Sequence, residues 1–283
     1  MIPAKFDYVA PESVADAIAA LRSDSAEIKV LGGGQSLLPV LRMRLAAPTL
    51  LVDLGRIAEL SGVSDDGDAI VIGAMTTHAE VAANALIAEH ASVLSKTALT
   101  VADPQVRHRG TLGGSLVHAD PAGDLPAPIL ALDAELVVAG AGGERTVSAA
   151  DFFVDLFTTA VGEDEILTRI RVPKHTGWGS HYEKFNRVAQ AWSIVGVAAN
   201  VRTDGGTIAE AKIALTNMGS TAMRASAVEA ALVGQPATDD AVRAAAASAA
   251  DGTSPPSDAD GDADYRRHLA TVLTRRAVLA AAG

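Results

Sequence analysis

Two short glycine-rich segments carry the residue types best suited to holding a ligand. The first, Gly32-Gly33-Gly34, lies between the apolar stretch IKVL and a second apolar stretch, LLPVLRMRL. Glycine permits positive φ and lets a ligand approach the main chain closely, and N–H groups at the start of a helix attract anions. The segment therefore indicates either an anion site, such as one for a pyrophosphate, or an ordinary tight turn.

The second segment, Thr111-Leu-Gly-Gly-Ser115, adds two hydroxyl groups to a similar glycine pair. Asp120 and Asp124 follow in a stretch whose prolines predict a loop rather than a regular helix. Two such segments, each beside apolar sequence, suggest a large ligand between two lobes. A dinucleotide such as FAD fits: pyrophosphate on N–H groups, ribityl oxygens on hydroxyls, and a carboxylate on a sugar or ring donor. Two unrelated turns are the alternative.

Known phosphate motifs do not account for the first segment. The pattern G-x-x-x-x-G-K-[ST] is absent, and G-x-G-x-x-G fails because Leu37 stands where its third glycine belongs. Asp53 lies near the spacing of a ribose-binding acid, which leaves a Rossmann interpretation open. However, the chain lacks the repeated strand–helix alternation of a Rossmann sheet.

The surrounding sequence predicts the elements that must position these segments. After Pro11, a helix places Val14, Ile18 and Leu21 on one face. One longer helix is predicted through LIAEHASVLSKTALTVA, and glycine signals at 142–143 and 205–206 predict hairpins. Three final helices are expected around 222–233, 238–249 and 264–282. The predicted divisions are a first lobe at 1–57, a second at 58–176 and a C-terminal domain at 177–283.

Composition limits the function classes. The 283 residues carry a net charge of −11, which disfavours nucleic-acid binding. No cysteine is present, which excludes disulfides, thiol catalysis and a cysteine-ligated iron–sulfur cluster in this chain. Redox chemistry would therefore need an organic cofactor, a metal site without thiols, or a partner's cluster. The absence of a long apolar run or signal-peptide core predicts a cytoplasmic protein.

Three other patterns attract a binding interpretation that we discount. His118 and Asp120 lack a third metal ligand at suitable spacing. The alternating aspartates at 258–264 lack the glycine and the acid of a calcium loop, so a solvated connector is expected. The arginines of the last helix are expected to face water rather than an acidic partner: Arg266, Arg267, Arg275 and Arg276.

Taken together, the motifs GGGQSLLP, IGAMTTHAEV and TLGGSLVHADPAGDLP resemble those of FAD-binding subunits of molybdenum hydroxylases, the family of carbon monoxide dehydrogenase and xanthine dehydrogenase. The resemblance extends to the C-terminal YRRHLATVLTRRAV and so covers the whole chain. It is strongest to the medium subunits of aerobic carbon monoxide dehydrogenases. It implies an α+β fold: a two-lobed FAD-binding domain of the vanillyl-alcohol-oxidase/PCMH type, followed by a C-terminal domain of antiparallel sheet with helices.

The resemblance also implies a set of cofactor-binding residues and no catalytic residue or metal ligand. Relatives commonly have asparagine at the position of Ser115 and tyrosine at that of Trp192. Trp192 is expected either to cover the flavin or to fill the core, and Lys184 either to lie near the flavin or to be solvated. The implied FAD-binding residues are Gly32, Gly33, Gly34, Gln35, Ser36, Leu37, Val101, Thr111, Gly113, Gly114, Ser115, Asp124, Leu167, Lys184 and Trp192.

The function implied by the resemblance is electron transfer within a complex. This chain would hold FAD, while a large subunit holds the molybdenum–pterin cofactor and a small subunit holds two [2Fe–2S] clusters. Such a complex, a dimer of heterotrimers, would pass electrons to an acceptor such as a quinone, in the cytoplasm or at the inner face of the membrane. Two alternatives remain: a stand-alone FAD oxidase or reductase, and a non-redox nucleotide-binding scaffold.

Overall fold

A computed structural model describes residues 2–24 and 27–283. The N-terminal part contains a three-stranded parallel sheet in the order β1-β3-β2. Helix α1 begins after Ser13, whose side chain accepts a hydrogen bond from the Asp16 N–H, and it buries Ala17 and Leu21. Val14 and Ile18 pack against the same small core, as the predicted helix face requires. The elements are β1 (Asp7–Val9), α1 (Val14–Leu21), β2 (Ile28–Leu31), α2 (Leu37–Arg42) and β3 (Leu50–Asp53).

The middle of the chain forms a five-stranded antiparallel sheet covered by short helices. Its strand order is β4-β5-β10-β6-β7, so β10 lies between strands that precede it by many residues. The predicted hairpin at 142–143 joins β6 to β7. The elements are β4 (Val63–Asp66), β5 (Ala69–Gly73), α3 (His78–Ala83), α4 (Ala85–His90), α5 (Ser92–Thr100), α6 (Pro104–Arg107), α7 (Leu112–His118), α8 (Pro126–Ala131), β6 (Glu135–Gly140), β7 (Gly143–Ser148), α9 (Ala149–Phe152), β8 (Phe153–Asp155), β9 (Thr158–Thr159) and β10 (Ile166–Pro173).

Two predictions for this part are wrong. The single long helix is two helices, α4 and α5, because the chain turns at Ala91 (φ −145°, ψ 46°). There the His90 carbonyl accepts a hydrogen bond from the His175 N–H instead of continuing a helix. The proline-containing stretch expected to be a loop is one only around Asp120 and Asp124, because its later prolines lie in the first turn of helix α8.

The C-terminal part is an antiparallel sheet in the order β11-β12-β13-β14, with helices against it. The predicted hairpin at 205–206 joins β12 to β13. The helix expected from 222 begins later, because Met223 and Arg224 pair with β13 instead. The elements are β11 (Gly179–Phe185), β12 (Val195–Asp204), β13 (Thr207–Thr216), β14 (Met223–Arg224), α10 (Ser226–Leu232), α11 (Asp239–Ala246) and α12 (Ala263–Ala282).

Helix α12 departs from the sequence expectation at one arginine. Arg266 is buried in the C-terminal core, with 1% of its side chain exposed, so the prediction that it faces water is wrong. Its charge is paired with Asp258 of the preceding connector. Asp262 in the same connector caps the helix by accepting a hydrogen bond from the Tyr265 N–H. Within the described ranges, none of the helices is both long and apolar enough to cross a membrane.

Candidate functional site: a glycine turn and a buried carboxylate

The two glycine-rich segments lie against each other. The Thr111 hydroxyl is close to both: a Cβ on Gly32 would lie 3.3 Å from it, and one on Gly114 would lie 2.7 Å away. The chain at 74–78 holds the second segment, because the Leu112 N–H donates to the Thr76 carbonyl (2.9 Å). The segments 32–37, 74–78 and 109–115 therefore form one backbone cluster, which we call the glycine turn.

Close backbone approach explains why glycine is needed at two of these positions. A Cβ on Gly33 would lie 2.6 Å from the Gly110 Cα and clash with the Arg109 carbonyl. One on Gly113 would lie 2.6 Å from the Ala74 Cβ. Gly34 has a positive φ of 77°, which reverses the chain between β2 and α2. The glycines thus let three segments of the protein pack at a distance that side chains would prevent.

The first segment presents a run of unpaired donors. Within the described parts of the chain, no group accepts a hydrogen bond from the backbone N–H of residues 33–37. Ser36 precedes α2, but its side chain does not cap that helix. The Gln35 amide donates to the Gly33 carbonyl (3.2 Å), which helps to keep the turn in shape. Backbone donors clustered at a strand-to-helix turn are the usual means of holding a phosphate group.

The second segment is not a free loop but the start of helix α7, and its donors are used within the protein. The Gly113 N–H donates to the Ala74 carbonyl (2.8 Å) and the Gly114 N–H to the Thr111 hydroxyl (3.1 Å). The Ser115 N–H donates to the Thr111 carbonyl (3.0 Å). Gly114 is exposed at the surface. A ligand could therefore approach the main chain of this segment closely and contact the Ser115 hydroxyl, but it would find no free backbone donor at residues 113–115.

A second cluster surrounds Asp124, which we call the Asp124 cluster. Its Oδ1 accepts hydrogen bonds from the Tyr182 hydroxyl (2.9 Å) and the Ser193 hydroxyl (2.7 Å). Its Oδ2 pairs with the Lys184 Nζ at 2.7 Å, and the side chains of the pair are 5% and 6% exposed. The Lys184 Nζ also donates to the Thr100 carbonyl (3.1 Å). A carboxylate from the middle part of the chain is thus held by donors from the C-terminal part.

The tyrosine of this cluster stays protonated. Burial, together with the Asp124 charge, raises the pKa of Tyr182 well above its usual value. The Tyr182 hydroxyl therefore remains a donor. A charged pair that is out of water needs such additional hydrogen bonds to offset its desolvation.

The structure excludes one of the two expected placements for Lys184 and for Trp192 and leaves their place at the flavin a prediction. Lys184 is not solvated, since its ammonium group is buried against Asp124. Trp192 does not fill the core: it lies in the loop before β12 and its side chain is 56% exposed. Val101 ends α5 beside the Thr100 carbonyl that Lys184 contacts, and it packs partly buried against the main core.

Residues 100–110 link the two clusters. The Gln190 amide in the Trp192 loop donates to Asp103 (2.9 Å), which also caps α6. From α6 the chain leads directly to Gly110, whose carbonyl accepts from the His78 N–H (2.9 Å) at the glycine turn. Leu167 belongs to neither cluster. It is buried in the main core on β10, one residue before the Thr168 carbonyl that accepts from the Ala74 N–H.

Comparison with known proteins identifies the architecture. Residues 4–175 match the family model described as the FAD binding domain in molybdopterin dehydrogenase, and residues 180–281 match that of the CO dehydrogenase flavoprotein C-terminal domain. The carbon monoxide dehydrogenase medium chain of Hydrogenophaga pseudoflava is 40% identical, covering 99% of this chain and 98% of that protein. The chain belongs to this family of FAD-binding flavoprotein subunits.

Other comparisons agree with this membership. The glyceraldehyde dehydrogenase medium chain of Sulfolobus acidocaldarius is 34% identical, covering 98% of both chains. A solved structure of Hydrogenophaga pseudoflava carbon monoxide dehydrogenase, in a form lacking the Mo-pyranopterin moiety of the molybdenum cofactor, superposes with a TM-score of 0.96. It has 42% identity and covers 99% of this chain and 98% of that one. The expected resemblance and α+β fold class are confirmed.

Family membership and the structure bear on two weaker interpretations. The Rossmann alternative is wrong: Asp53 is occupied by the Tyr8 hydroxyl (2.6 Å) and the Gly55 N–H (2.8 Å). No group of three potential metal-ligating side chains occurs in residues 2–24 and 27–283. In these ranges His118 and Asp120 form only a long pair (3.9 Å).

Sequence reasoning missed three side chains in or beside these two clusters. Tyr182 and Ser193 complete the Asp124 cluster, and Tyr182 lies two residues from Lys184 on the same face of β11, which period-two alternation could have revealed. His78, within the motif TTHAEV, is buried against Gly110, where a Cβ would lie 2.8 Å from its ring. Its Nδ1 has no hydrogen-bond partner within the described residues.

Proposed function

We propose that this chain binds FAD at the glycine turn and the Asp124 cluster and transfers electrons within a carbon monoxide dehydrogenase-type complex. The observation that carries the proposal is the run of backbone N–H groups at 33–37 that have no acceptor among the residues the structure describes. A pyrophosphate would satisfy them, and the residues present therefore fit the cofactor. The full-length similarity to medium chains of such enzymes supports the same assignment.

The proposed roles follow from the contacts. The turn at 32–37 would hold the pyrophosphate, and the Ser36 and Ser115 hydroxyls would contact the ribityl region. Thr111, Gly113 and Gly114 would form the opposite wall, where close backbone approach admits the cofactor. Trp192 would lie against the isoalloxazine, with Val101 and Leu167 as apolar support.

Asp124 and Lys184 would act through position rather than through free charge. Because the carboxylate neutralises the ammonium group, Lys184 offers the flavin much less positive potential than an unpaired lysine would. Two of its three N–H groups are directed at Asp124 and the Thr100 carbonyl, which fixes the side chain. The cluster would thereby set the position of the Trp192 loop through Ser193.

Bound FAD supplies the ability to exchange electrons singly and to store two of them. The protein groups would hold and orient the cofactor without acting as acid, base or nucleophile. In the proposed complex a small subunit with two [2Fe–2S] clusters delivers electrons from a large molybdenum–pterin subunit. A quinone is the proposed external acceptor. We place the complex, a dimer of heterotrimers, in the cytoplasm or peripherally at the inner membrane face.

The direct test is FAD retention by glycine variants of the full chain. Gly33→Val and Gly114→Val should each lose at least about 90% of bound FAD, because the new side chain blocks the turn. Gly142→Val is the matched control. A Cβ there would have no atom of the described residues within 4 Å, and Gly142 lies in the β6–β7 hairpin, outside both clusters. Melting temperature would show whether each variant folds. Unchanged flavin content in a folded Gly114→Val protein would contradict the site.

A second experiment separates the proposed function from its alternatives. The chain is co-produced with the products of neighbouring reading frames, and flavin absorbance is followed after addition of carbon monoxide and then a quinone. Reduction that requires the partners supports the electron-transfer role. Reduction of the isolated chain by a small substrate would identify a stand-alone oxidase or reductase. A colourless chain even after addition of FAD would identify a scaffold.

A further inference from the structure

A buried arginine on the last helix is bound to the loop that carries Trp192. The Arg266 guanidinium donates to the Ile194 carbonyl (2.5 Å) and makes two hydrogen bonds to Asp258 (2.7 and 2.8 Å). Only 1% of its side chain is exposed, whereas its neighbour Arg267 forms a surface pair with Asp264. One donor of this buried cation is therefore committed to the main chain two residues beyond Trp192.

A buried guanidinium is costly unless its donors are satisfied. Packing alone does not require the arrangement, because an apolar residue of similar size would fill the same core without that cost. The Arg266 Nε has no partner within the described residues, so the group is not even fully satisfied. The guanidinium is therefore best explained by what it holds, namely the backbone at Ile194.

Two further groups hold the same short segment from other directions. The Asn217 amide donates to the Ser193 carbonyl (2.9 Å) and the Ile194 carbonyl (3.3 Å). Asn217 has a positive φ of 63°, a conformation that asparagine tolerates better than most residues, and it lies directly after β13. The Ser193 hydroxyl donates to Asp124. Residues 193–194 are thus fixed from α12, from the end of β13 and from the α7–α8 loop.

We propose that Arg266 is a positioning residue that, with Asn217, fixes the orientation of the Trp192 indole at the flavin. The proposal rests on the proposed function, because the indole needs a flavin to cover. Trp192 itself is more than half exposed, so packing around its ring does not determine where it points. The fixed backbone that follows it instead limits the direction in which its side chain leaves the main chain. Asp258 takes part by holding the guanidinium, which links the 258–262 connector to the cofactor site.

The test follows Trp192 directly in the full-length chain. The chain has two tryptophans, so a Trp178→Phe background leaves Trp192 as the single indole probe. Arg266 uses one terminal nitrogen for the Ile194 carbonyl and the other for Asp258. Arg266→Lys keeps the charge but has a single terminal nitrogen, which cannot reproduce this two-nitrogen geometry. Arg267→Lys is the matched control on the adjacent, exposed position. Readouts are Trp192 fluorescence anisotropy without FAD, and emission of bound FAD, which a stacked indole quenches.

We expect Arg266→Lys to lower the Trp192 anisotropy and to raise bound-flavin emission about twofold or more, with Arg267→Lys unchanged in both. Asn217→Gly, which tolerates the positive φ, should move both readouts in the same direction and serves if Arg266→Lys does not fold. Unchanged anisotropy and flavin emission in folded variants, even with a lower melting temperature, would show a purely structural role and overturn the proposal. Failure of the unsubstituted chain to bind FAD would instead contradict the proposed function, while the anisotropy without FAD would still report on positioning.

Discussion

The glycine turn and the Asp124 cluster differ in whether their polar groups have partners within the protein. At residues 33–37 the backbone donors have no acceptor within the described chain, and the segment is partly exposed. At Asp124 a buried carboxylate accepts three side-chain donors. In the proposed site the first region would receive an anion, whereas the polar groups of the second are already paired within the protein. If one cofactor occupies both regions, as proposed, its residues act in two ways: those at 33–37 offer unpaired donors, and those around Asp124 fix the surrounding chain in place.

The largest expected effect comes from removing the carboxylate charge of the Asp124 cluster. Asp124→Asn leaves the Lys184 ammonium buried without a counter-charge, and breaking a buried pair in this way costs about 3 kcal/mol or more of unfolding free energy. Denaturant unfolding of the full chain measures it.

Asp120→Asn in the same loop is the matched control, because its carboxylate is partly exposed and an asparagine can still accept from the Ala122 N–H. Equal stability of the two variants would mean that the Asp124 cluster does not stabilise the contact between the middle and C-terminal parts of the chain.

A smaller effect concerns the histidine beneath the glycine turn. Burial, with a contribution from the Arg107 charge, lowers the pKa of His78 from 6.5 to about 4. Between these values the unfolded chain binds a proton that the folded chain does not, so stability is complete above about pH 6.5 and falls as the pH drops toward 4. The total loss from this group is about 3 kcal/mol.

Unfolding free energies measured across pH 4–7 test this, with His78→Phe as the comparison. The variant removes the titrating group. The slope of its unfolding free energy against pH should therefore be smaller than that of the parent, by an amount equivalent to at most one bound proton. An identical slope in both proteins would show that another group causes the acid sensitivity.

The smallest expected effect is found by replacing one serine with alanine in each region and comparing the two losses of stability. Ser193→Ala removes a buried donor to a carboxylate and should lower stability by about 1.5–3 kcal/mol. Ser36→Ala removes a hydroxyl that does not cap its helix, so stability should change by less than about 0.5 kcal/mol while FAD affinity falls. Unfolding curves and FAD titrations of the two variants provide the measurement. A reversal of the two effects would mean that the regions have been assigned the wrong way round.

The sequence was informative where local rules decide the structure. The pair Gly205-Gly206 between alternating strands predicts the β12–β13 hairpin, and the motif at 111–115 predicts proximity to the first glycines through a shared ligand. It was uninformative where a contact distant in sequence decides. Helix α4 ends where the His90 carbonyl accepts a hydrogen bond from the His175 N–H, and Arg266 is buried where its guanidinium donates to Asp258 and the Ile194 carbonyl. No periodicity distinguishes a buried, paired lysine such as Lys184 from a solvated one.

The position of Asp124 limits how this protein can be taken apart. The two family models divide the chain at 175–180, yet the carboxylate lies on one side of that division and its donors, Tyr182, Lys184 and Ser193, lie on the other. A truncated first half would lose all three side-chain donors to this carboxylate, and a hybrid with a foreign second half would need the same three donors. The two matched parts of the chain should therefore be exchanged together when the protein is engineered.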